Sequence, residues 1–279
     1  MMGTVSAPRP VISSLANPRV KAAAALRDRR TRERTGLTLV DGARELRRAV
    51  DAGVVVEEAF IHEPRLAGED ARSVLDALRT REAPLWSVSE SVLAKLGFGD
   101  RNEGIVAVVR PRPLDLEGLE LPADPLLVVV EDVEKPGNLG AVLRSADGAG
   151  ADAVIAASPR TDLANPNVIR ASAGTCFTIP MASAESPVVL AWLLDRGIRP
   201  VAAVVGAATS YADADLAGPV ALVLGTEDEG LTDVWSGAGI AAVSLPMLGV
   251  ADSLNVSVTA AVLLYEARRQ RDRNAEGAD

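Results

Sequence analysis

The chain has 279 residues, of which 48% are hydrophobic, 24% charged and 3% aromatic, an ordinary composition for a globular protein with a sizeable core. One cysteine and one histidine exclude an internal disulfide and argue against a His/Cys zinc site, and no apolar run reaches the roughly 18 residues of a membrane span. We therefore expect a cytoplasmic protein with no metal and no membrane association.

The net charge of −9 is distributed unevenly along the chain. Residues 1–50 carry eleven Arg or Lys against four acidic residues, a net charge of +7, which leaves −16 for the rest. A basic block on an acidic chain is typical of a contact with an RNA backbone, although a solvated helical face is the alternative. The candidate phosphate contacts in this block are Arg19, Lys21, Arg27, Arg29, Arg30, Arg32 and Arg34.

The first part of the chain alternates short helices and strands. Arg19–Arg34 and Ala43–Ala52 are helical in composition, as are "DARSVLDALRT" and "SESVLAKLG". Strands are predicted at "LTLVDG", "VEEAFIH", "PLWSVS" and "GIVAVVR". This pattern predicts a small α/β domain over residues 1–110. The proline-rich stretch that follows cannot continue a helix or a central strand, so residues 111–124 are predicted to be a linker.

After this stretch the alternation becomes regular. Strands are predicted at "LLVVVED", "DAVIAA", "RPVAAVVG", "VALVLG" and "IAAVSLP". Helices are predicted at "NLGAVLRSADGAG", "NPNVIRASAG", "SPVVLAWLLDRG", "GLTDVWSGAG" and "LNVSVTAAVLLYEARRQRDR". Because apolar strands without alternation belong to sheets covered on both faces, residues 125–273 are predicted to form an α/β domain with a parallel sheet. Residues 274–279 are a polar tail.

The turn "KPGNLGAVLRSA" joins the first of these strands to a helix. It contains neither the G-x-G-x-x-G of a dinucleotide site nor a Walker phosphate loop. Instead it places Asn138 and Arg144 on an otherwise apolar helix. A helix cap and a surface arginine would explain the same two residues.

Two later turns are also polar and follow predicted strands. "LVLGTEDEGL" contains Gly225, Glu227, Glu229 and Gly230, and "LPMLGVADSLNVS" contains Ser253, Leu254 and Asn255. Ligands of open α/β sheets bind outside the carboxyl ends of the strands, where all three turns are expected to lie. The glycines would allow close approach of the backbone, and Leu245, Met247 and Leu254 offer an apolar wall for a flat ring. Strand punctuation by the glycines and an N-cap at Ser253 are the alternatives.

The three turns resemble the three motifs of the SPOUT methyltransferases, in the SpoU/TrmH branch that methylates ribose 2′-hydroxyls of RNA. Asn138 and Arg144 match the first motif, Gly225, Glu227 and Gly230 match the second, and Pro246, Met247, Gly249 and Ser253–Ser257 match the third. The segment "ANPRVKAAAALRDRRTRERTGLTLVDGAREL" is similar to an auxiliary N-terminal domain of the ribosomal-protein L30e type. Asp228 and Asp41 stand where many relatives carry Gly and Glu.

The resemblance implies a C-terminal domain with a deep trefoil knot, S-adenosylmethionine as cofactor, and a homodimer. It implies catalytic roles for Asn138, Arg144 and Asn255. The reaction must also remove the hydroxyl proton, and Glu229 or Glu227 is the carboxylate alternative to Arg144 for that role, with Glu227 favoured as a structural residue of its turn. The implied cofactor contacts are Leu224, Gly225, Glu227, Gly230, Leu245, Met247, Ser253 and Leu254. Arg170 matches a family stretch beside the active site, where it would meet RNA or the partner subunit.

The implied activity is methylation of a ribose 2′-hydroxyl, with ribosomal RNA favoured because the N-terminal domain resembles a ribosomal protein. The alternatives are a tRNA substrate and an RNA-binding ribosome factor that has lost catalysis. The subgroup also includes self-resistance enzymes that protect ribosomes from an antibiotic. The family arginine is proposed as the base; since a guanidinium stays protonated, we expect Arg144 to bind the target phosphate or to lower the pKa of the ribose hydroxyl.

Overall fold

The structure is a computed structural model that describes residues 10–98, 103–112, 115–226, 228–237 and 239–276. It divides into two compact units. The first comprises Met1–Arg112 with Ala164–Arg170, and the second comprises Pro113–Leu163 with Ala171–Asp279. Among the helices of the described residues, none combines the length and the apolar character that a membrane span needs.

The first unit packs helices on a four-stranded sheet of order β1-β4-β2-β3. Strand β4 is antiparallel to β1 and β2, whereas β3 is parallel to β2. All four strands predicted for this part of the chain are present. The elements are α1 (Pro18–Ala25), α2 (Arg29–Thr35), β1 (Thr38–Asp41), α3 (Ala43–Asp51), β2 (Val55–Ile61), α4 (Glu69–Thr80), β3 (Leu85–Ser87), α5 (Glu90–Leu96) and β4 (Ile105–Arg110).

The helical stretch expected over Arg19–Arg34 is divided into α1 and α2. The break arises because the Asp28 carboxylate accepts the backbone N–H of Thr31 at 3.0 Å, which starts a new helix with an N-cap. The apolar side of α1 packs with α5 over a core centred on Phe60 of β2.

The second unit is built on a seven-stranded parallel sheet of order β7-β6-β5-β10-β8-β11-β9. This confirms the predicted α/β fold with a parallel sheet, while the knot stays a prediction. Its elements are β5 (Leu126–Glu131), α6 (Pro136–Ala149), β6 (Ala153–Ala157), β7 (Met181–Ala184), α8 (Ser186–Asp195), β8 (Arg199–Ala203), β9 (Thr209–Ser210), β10 (Val220–Leu224), β11 (Ala241–Ser244) and α9 (Val256–Glu276). Helix α7 (Pro166–Ala171) follows β6 in the chain, and all of it but Ala171 belongs to the first unit.

The central strands explain the continuous apolar runs of the sequence. Every residue of β5 and of β10 is buried, as expected for strands covered on both faces. One face of the sheet packs on Trp192 and Leu193 of α8. The same core buries Leu116, which belongs to the stretch predicted as a linker. The edge strands β7 and β9 were not predicted, since they have only four and two residues.

One helix prediction was wrong. The described residues of the segment "GLTDVWSGAG" form only a short 3-10 turn, Asp233–Trp235. The backbone N–H and the hydroxyl of Thr232 both donate to Glu131 at 2.8 Å, which fixes an extended entry into the segment. So short a segment with Gly237 near its end cannot offset the cost of helix nucleation. The last helix also begins at Val256 and not at Leu254.

Candidate functional site

A cavity of about 380 Å³ opens in the second unit where β8, β10 and β11 end. This is the edge of the sheet at which the sequence predicted a ligand. The predicted site residues that line it are Leu224, Gly225, Glu229, Gly230, Leu245, Met247, Ser253 and Leu254. Glu227 was also predicted to contact the cofactor, and it lies outside the described residues.

The turn after β10 brings backbone close to the cavity. Thr226 and Gly230 exchange two backbone hydrogen bonds of 3.1 Å. A Cβ on Gly225 would lie 2.1 Å from the carbonyl oxygen of Gly230, so only glycine fits there. Gly230 has φ +72°, in the left-handed region that favours glycine. Both glycines are therefore required by the shape of the turn and not merely by the end of a strand.

Part of the lining was not predicted from the sequence. Val204 and Val205 follow β8, and Thr226 and Leu231 flank the glycine turn. Because β8 was predicted and its neighbours β10 and β11 ended in candidate residues, the same rule applied to "VVG" would have found the two valines.

Asn138 and Asn255 are joined by a hydrogen bond. Asn255 Nδ2 donates to Asn138 Oδ1 at 3.2 Å. Asn255 Oδ1 also accepts the backbone N–H of Ser257 at 3.0 Å, so Asn255 caps α9. Asn138 lies inside the first turn of α6, whose N-cap is Lys135; the alternatives of a cap at Asn138 and at Ser253 are both wrong. Neither asparagine lines the cavity, but Leu254 and Val256 on either side of Asn255 do.

Arg144 projects from α6 and is exposed. The helix buries Leu139, Val142, Leu143 and Ala146, which leaves Arg144 on the side that does not pack. Arg144 is not among the residues that line the cavity. The structure thus places it outside the predicted cofactor site, on the helix that begins with Asn138.

Glu229 belongs to a charged cluster at the mouth of the cavity. Arg160 Nη2 lies 3.3 Å from Glu229 Oε2, and Arg160 Nε donates to Asp132 Oδ1 at 2.7 Å. The hydrogen bond and charge of Asp132 raise the pKa of Arg160. Neither Asp132 nor Arg160 was predicted.

A buried carboxylate lies next to this cluster. Glu131, the last residue of β5, is 1% exposed and accepts the two hydrogen bonds from Thr232 described above. Hydrogen bonds of this kind are what allow a carboxylate to be buried. The apolar run "LLVVVE" ends in a charged residue, and this feature of the sequence could have identified Glu131 as a candidate.

The basic residues of the first unit fall into two groups. Arg32 is buried and donates to the carbonyls of Leu26 and Arg27 at 2.8 Å. Arg27 stacks on Phe98 and donates to a backbone carbonyl. Both side chains thus hold the first unit together. Arg19 lies 4.1 Å over the Trp86 ring, and Arg29 pairs with Glu33. Of the basic residues predicted to contact RNA in residues 1–50, those that remain are Lys21, Arg30 and Arg34, and all three are exposed.

Arg170, a predicted RNA contact, is engaged in an ion pair within the first unit. Its Nη1 lies 2.6 Å from Asp41 Oδ2, which also accepts the backbone N–H of Phe98 at 2.6 Å. Burial raises the pKa of Asp41, against the lowering effect of Phe98 and Arg170. This buried pairing accounts for Arg170 as a structural residue, and an RNA contact through it stays a prediction.

Comparisons with known proteins agree with this geometry. Residues 125–265 match the SpoU rRNA Methylase family, and residues 17–107 match the MRM3-like substrate binding domain. A 23S rRNA (guanosine-2′-O-)-methyltransferase RlmB of Ralstonia nicotianae is 40% identical over 72% of this chain and 84% of its own length.

Two solved structures are similar over nearly the whole chain. A crystal structure of an RNA 2′-O ribose methyltransferase is 44% identical with a TM-score of 0.83, covering 94% of this chain and 99% of its own. The SpoU methyltransferase AviRb of Streptomyces viridochromogenes, in complex with the cofactor AdoMet, is 32% identical with a TM-score of 0.83, covering 91% and 98%.

Proposed function

The chain belongs to the SpoU rRNA methylase family, and from that premise we propose that it transfers a methyl group from S-adenosylmethionine to a ribose 2′-hydroxyl of ribosomal RNA. The observation that carries the proposal is the cavity at the carboxyl ends of β8, β10 and β11, lined by Gly225, Leu245, Met247 and Leu254. Relatives of this chain are 23S rRNA 2′-O-methyltransferases by name.

The residues present fit S-adenosylmethionine. A cavity of about 380 Å³ with apolar walls suits a flat ring. The glycine turn, where any side chain at Gly225 would collide with Gly230, supplies backbone donors and acceptors to a polar ligand. Leu224, Gly230 and Ser253 complete the proposed contacts. Once bound, the cofactor supplies an electrophilic methyl group.

The chain's own residues position the ribose. The hydrogen bond between Asn138 and Asn255 lies beside the cavity wall, so we assign these amides to orienting the target nucleotide. The Arg144 guanidinium is exposed on the same helix as Asn138. As a permanent cation it would bind the target phosphate and stabilise negative charge on the ribose oxygen. Glu229 lines the cavity and is the proposed acceptor of the hydroxyl proton.

A second copy of the chain is the proposed partner. Leu248 and Val250, in the loop after β11, are 97% and 103% exposed, and fully exposed branched side chains side by side are unusual for a surface without a partner. The family resemblance implies a homodimer in which this region lies near the subunit interface. A ribosomal RNA substrate makes the cytoplasm the expected location.

Transfer of labelled methyl from S-adenosylmethionine to total rRNA and, separately, to total tRNA tests the proposal. A 2′-O-methyl blocks alkaline cleavage, so one resistant position in labelled rRNA is expected. Label on tRNA would keep the chemistry and overturn the substrate. Cofactor binding without label on RNA or on ribosomal particles would favour a ribosome factor that has lost catalysis. If the modified ribose lies in a drug-binding site, antibiotic sensitivity of methylated ribosomes is the next measurement.

A further inference from the structure

Two consecutive carboxylates at the end of β5 hold the loop that lines the cavity. Glu131 accepts both donors of Thr232 at 2.8 Å. Asp132 binds Arg160, and Arg160 in turn lies 3.3 Å from Glu229. The last residue of β5 and the residue after it thus hold two points of residues 228–232, Glu229 and Thr232.

The backbone at Asp132 explains how neighbouring side chains reach the same segment. In a strand, successive side chains point to opposite faces. Asp132 has φ +54°, a left-handed conformation that is unfavourable for residues with a Cβ. Strand β5 therefore ends at Glu131, and the alternation of side chains between its two faces does not continue to Asp132. Strained residues of this kind recur at functional sites, where the surrounding contacts maintain them.

Backbone hydrogen bonds on both sides of Arg160 fix its position. The N–H of Asp132 donates to the carbonyl of Ala157 at 2.9 Å, and the N–H of Thr161 donates to the carbonyl of Val133 at 2.9 Å. These bonds join the loops after β5 and β6 on both sides of Arg160. The guanidinium, 53% exposed, therefore projects from a rigid base toward Glu229.

We propose that Glu131, Asp132 and Arg160 form a clamp that holds residues 228–232 in the conformation that receives the cofactor. They are positioning residues, because they act through Glu229 and Thr232. The inference deepens the proposed function and rests on it for the identity of the ligand. The clamp consists only of the chain's own residues, so it can be measured without any ligand.

The Asp132→Gly substitution separates this role from a purely structural one. Glycine relieves the left-handed backbone, so the melting temperature should stay the same or rise. Loss of the Arg160 anchor should nonetheless weaken S-adenosylmethionine binding about threefold, a shift typical of a partly exposed ion-pair network. Asp132→Asn tolerates the same φ and keeps an acceptor, so its affinity should lie between the two. Isothermal titration calorimetry measures the cofactor affinities of the wild type and of both variants.

Glu82→Gly is the matched control. Glu82 is exposed and has φ +55°, but it lies in the first unit, after α4. The Glu82→Gly substitution should change the melting temperature as Asp132→Gly does, and it should leave the cofactor affinity at the wild-type value. If the cofactor affinity of Asp132→Gly also equals the wild-type value within experimental error, the clamp is wrong. Either Asp132→Gly or Arg160→Ala could instead weaken RNA binding and flatten its salt dependence while the cofactor affinity stays unchanged. Arg160 would then be an RNA contact, and the proposal would be overturned.

Hydrogen exchange tests the clamp in the absence of cofactor. The amides of Glu229 and Gly230 donate to Thr226, and the amide of Thr232 donates to Glu131. Their exchange should be faster in Glu131→Ala and Asp132→Gly, whereas Glu131→Gln, which keeps an acceptor for Thr232, should restore most of the protection. Unchanged exchange would contradict the clamp even if the wild type binds cofactor. Failure of the wild type to bind S-adenosylmethionine, with exchange altered as expected, would contradict only the proposed function.

Discussion

The glycine turn sets the strictest requirement on a single residue. A Cβ at Gly225 would lie 2.1 Å from the backbone oxygen of Gly230, so Gly225→Ala must displace the turn that lines the cavity. We expect cofactor affinity to fall at least about tenfold, equivalent to about 1.4 kcal/mol, in a protein that stays folded. Calorimetric titration with S-adenosylmethionine, alongside circular dichroism, measures both.

Gly237→Ala provides the comparison for this substitution. No atom lies within 4 Å of a Cβ built on Gly237, so alanine should be accepted there with unchanged affinity. Equal affinities for the two variants would mean that the turn does not contact the cofactor.

Arg144 lies outside the cavity lining, and this separates catalysis from cofactor binding. Arg144→Ala should lower the rate of methyl transfer about 10²- to 10³-fold, as expected for the loss of one preorganised charge donor. Its cofactor affinity should remain that of the wild type, since no lining residue changes. Single-turnover transfer and calorimetry distinguish the two quantities, with Arg72→Ala on α4, another exposed arginine, as the control. A matching loss of affinity would place Arg144 in the cofactor site.

At the scale of elements, α2 separates basic residues that can bind RNA from those that hold the fold. Arg30 and Arg34 are exposed, whereas Arg32 is buried against two carbonyls. Arg30→Ala with Arg34→Ala should reduce the slope of log K against log salt by about two, one for each lost phosphate contact. Arg32→Ala should instead lower the free energy of unfolding by about 2–4 kcal/mol.

Filter binding at several salt concentrations and urea unfolding measure these two effects. A salt slope that does not change in the double variant would show that α2 is only a solvated face. A loss of RNA affinity in Arg32→Ala without a loss of stability would contradict the structural role of Arg32.

The same helix shows what a sequence can indicate about an element. Its charge and composition correctly indicated a basic helical region, because both are local properties. The division of its arginines depends on how the chain turns between α1 and α2, because that turn brings the carbonyls of Leu26 and Arg27 to Arg32. The spacing of residues in the sequence does not show this. Likewise, "GLTDVWSGAG" looked helical by its local pattern, but a carboxylate about a hundred residues earlier, Glu131, takes the donors of Thr232.

At the scale of the whole molecule, the parallel sheet and the edge that carries the cavity could be predicted. Five of its strands were predicted from mainly apolar runs without alternation, and the ligand rule for open sheets then located the site at their carboxyl ends. The clamp could not be predicted, because it depends on the left-handed backbone of Asp132 and on a contact between separate loops.

The proposed second subunit can be tested at the same scale. Each of Leu248 and Val250 would contribute about 1.5–3 kcal/mol if buried in a partner, and two-fold symmetry would count each substitution twice. Leu248→Asp with Val250→Asp should therefore raise the dimer dissociation constant at least about 100-fold, measured by sedimentation equilibrium. Val188→Asp, at another exposed apolar position on α8, should leave association unchanged. A wild-type protein that is monomeric at micromolar concentration would refute the dimer. A dimer unaffected by the double substitution would show that subunits associate through a different surface.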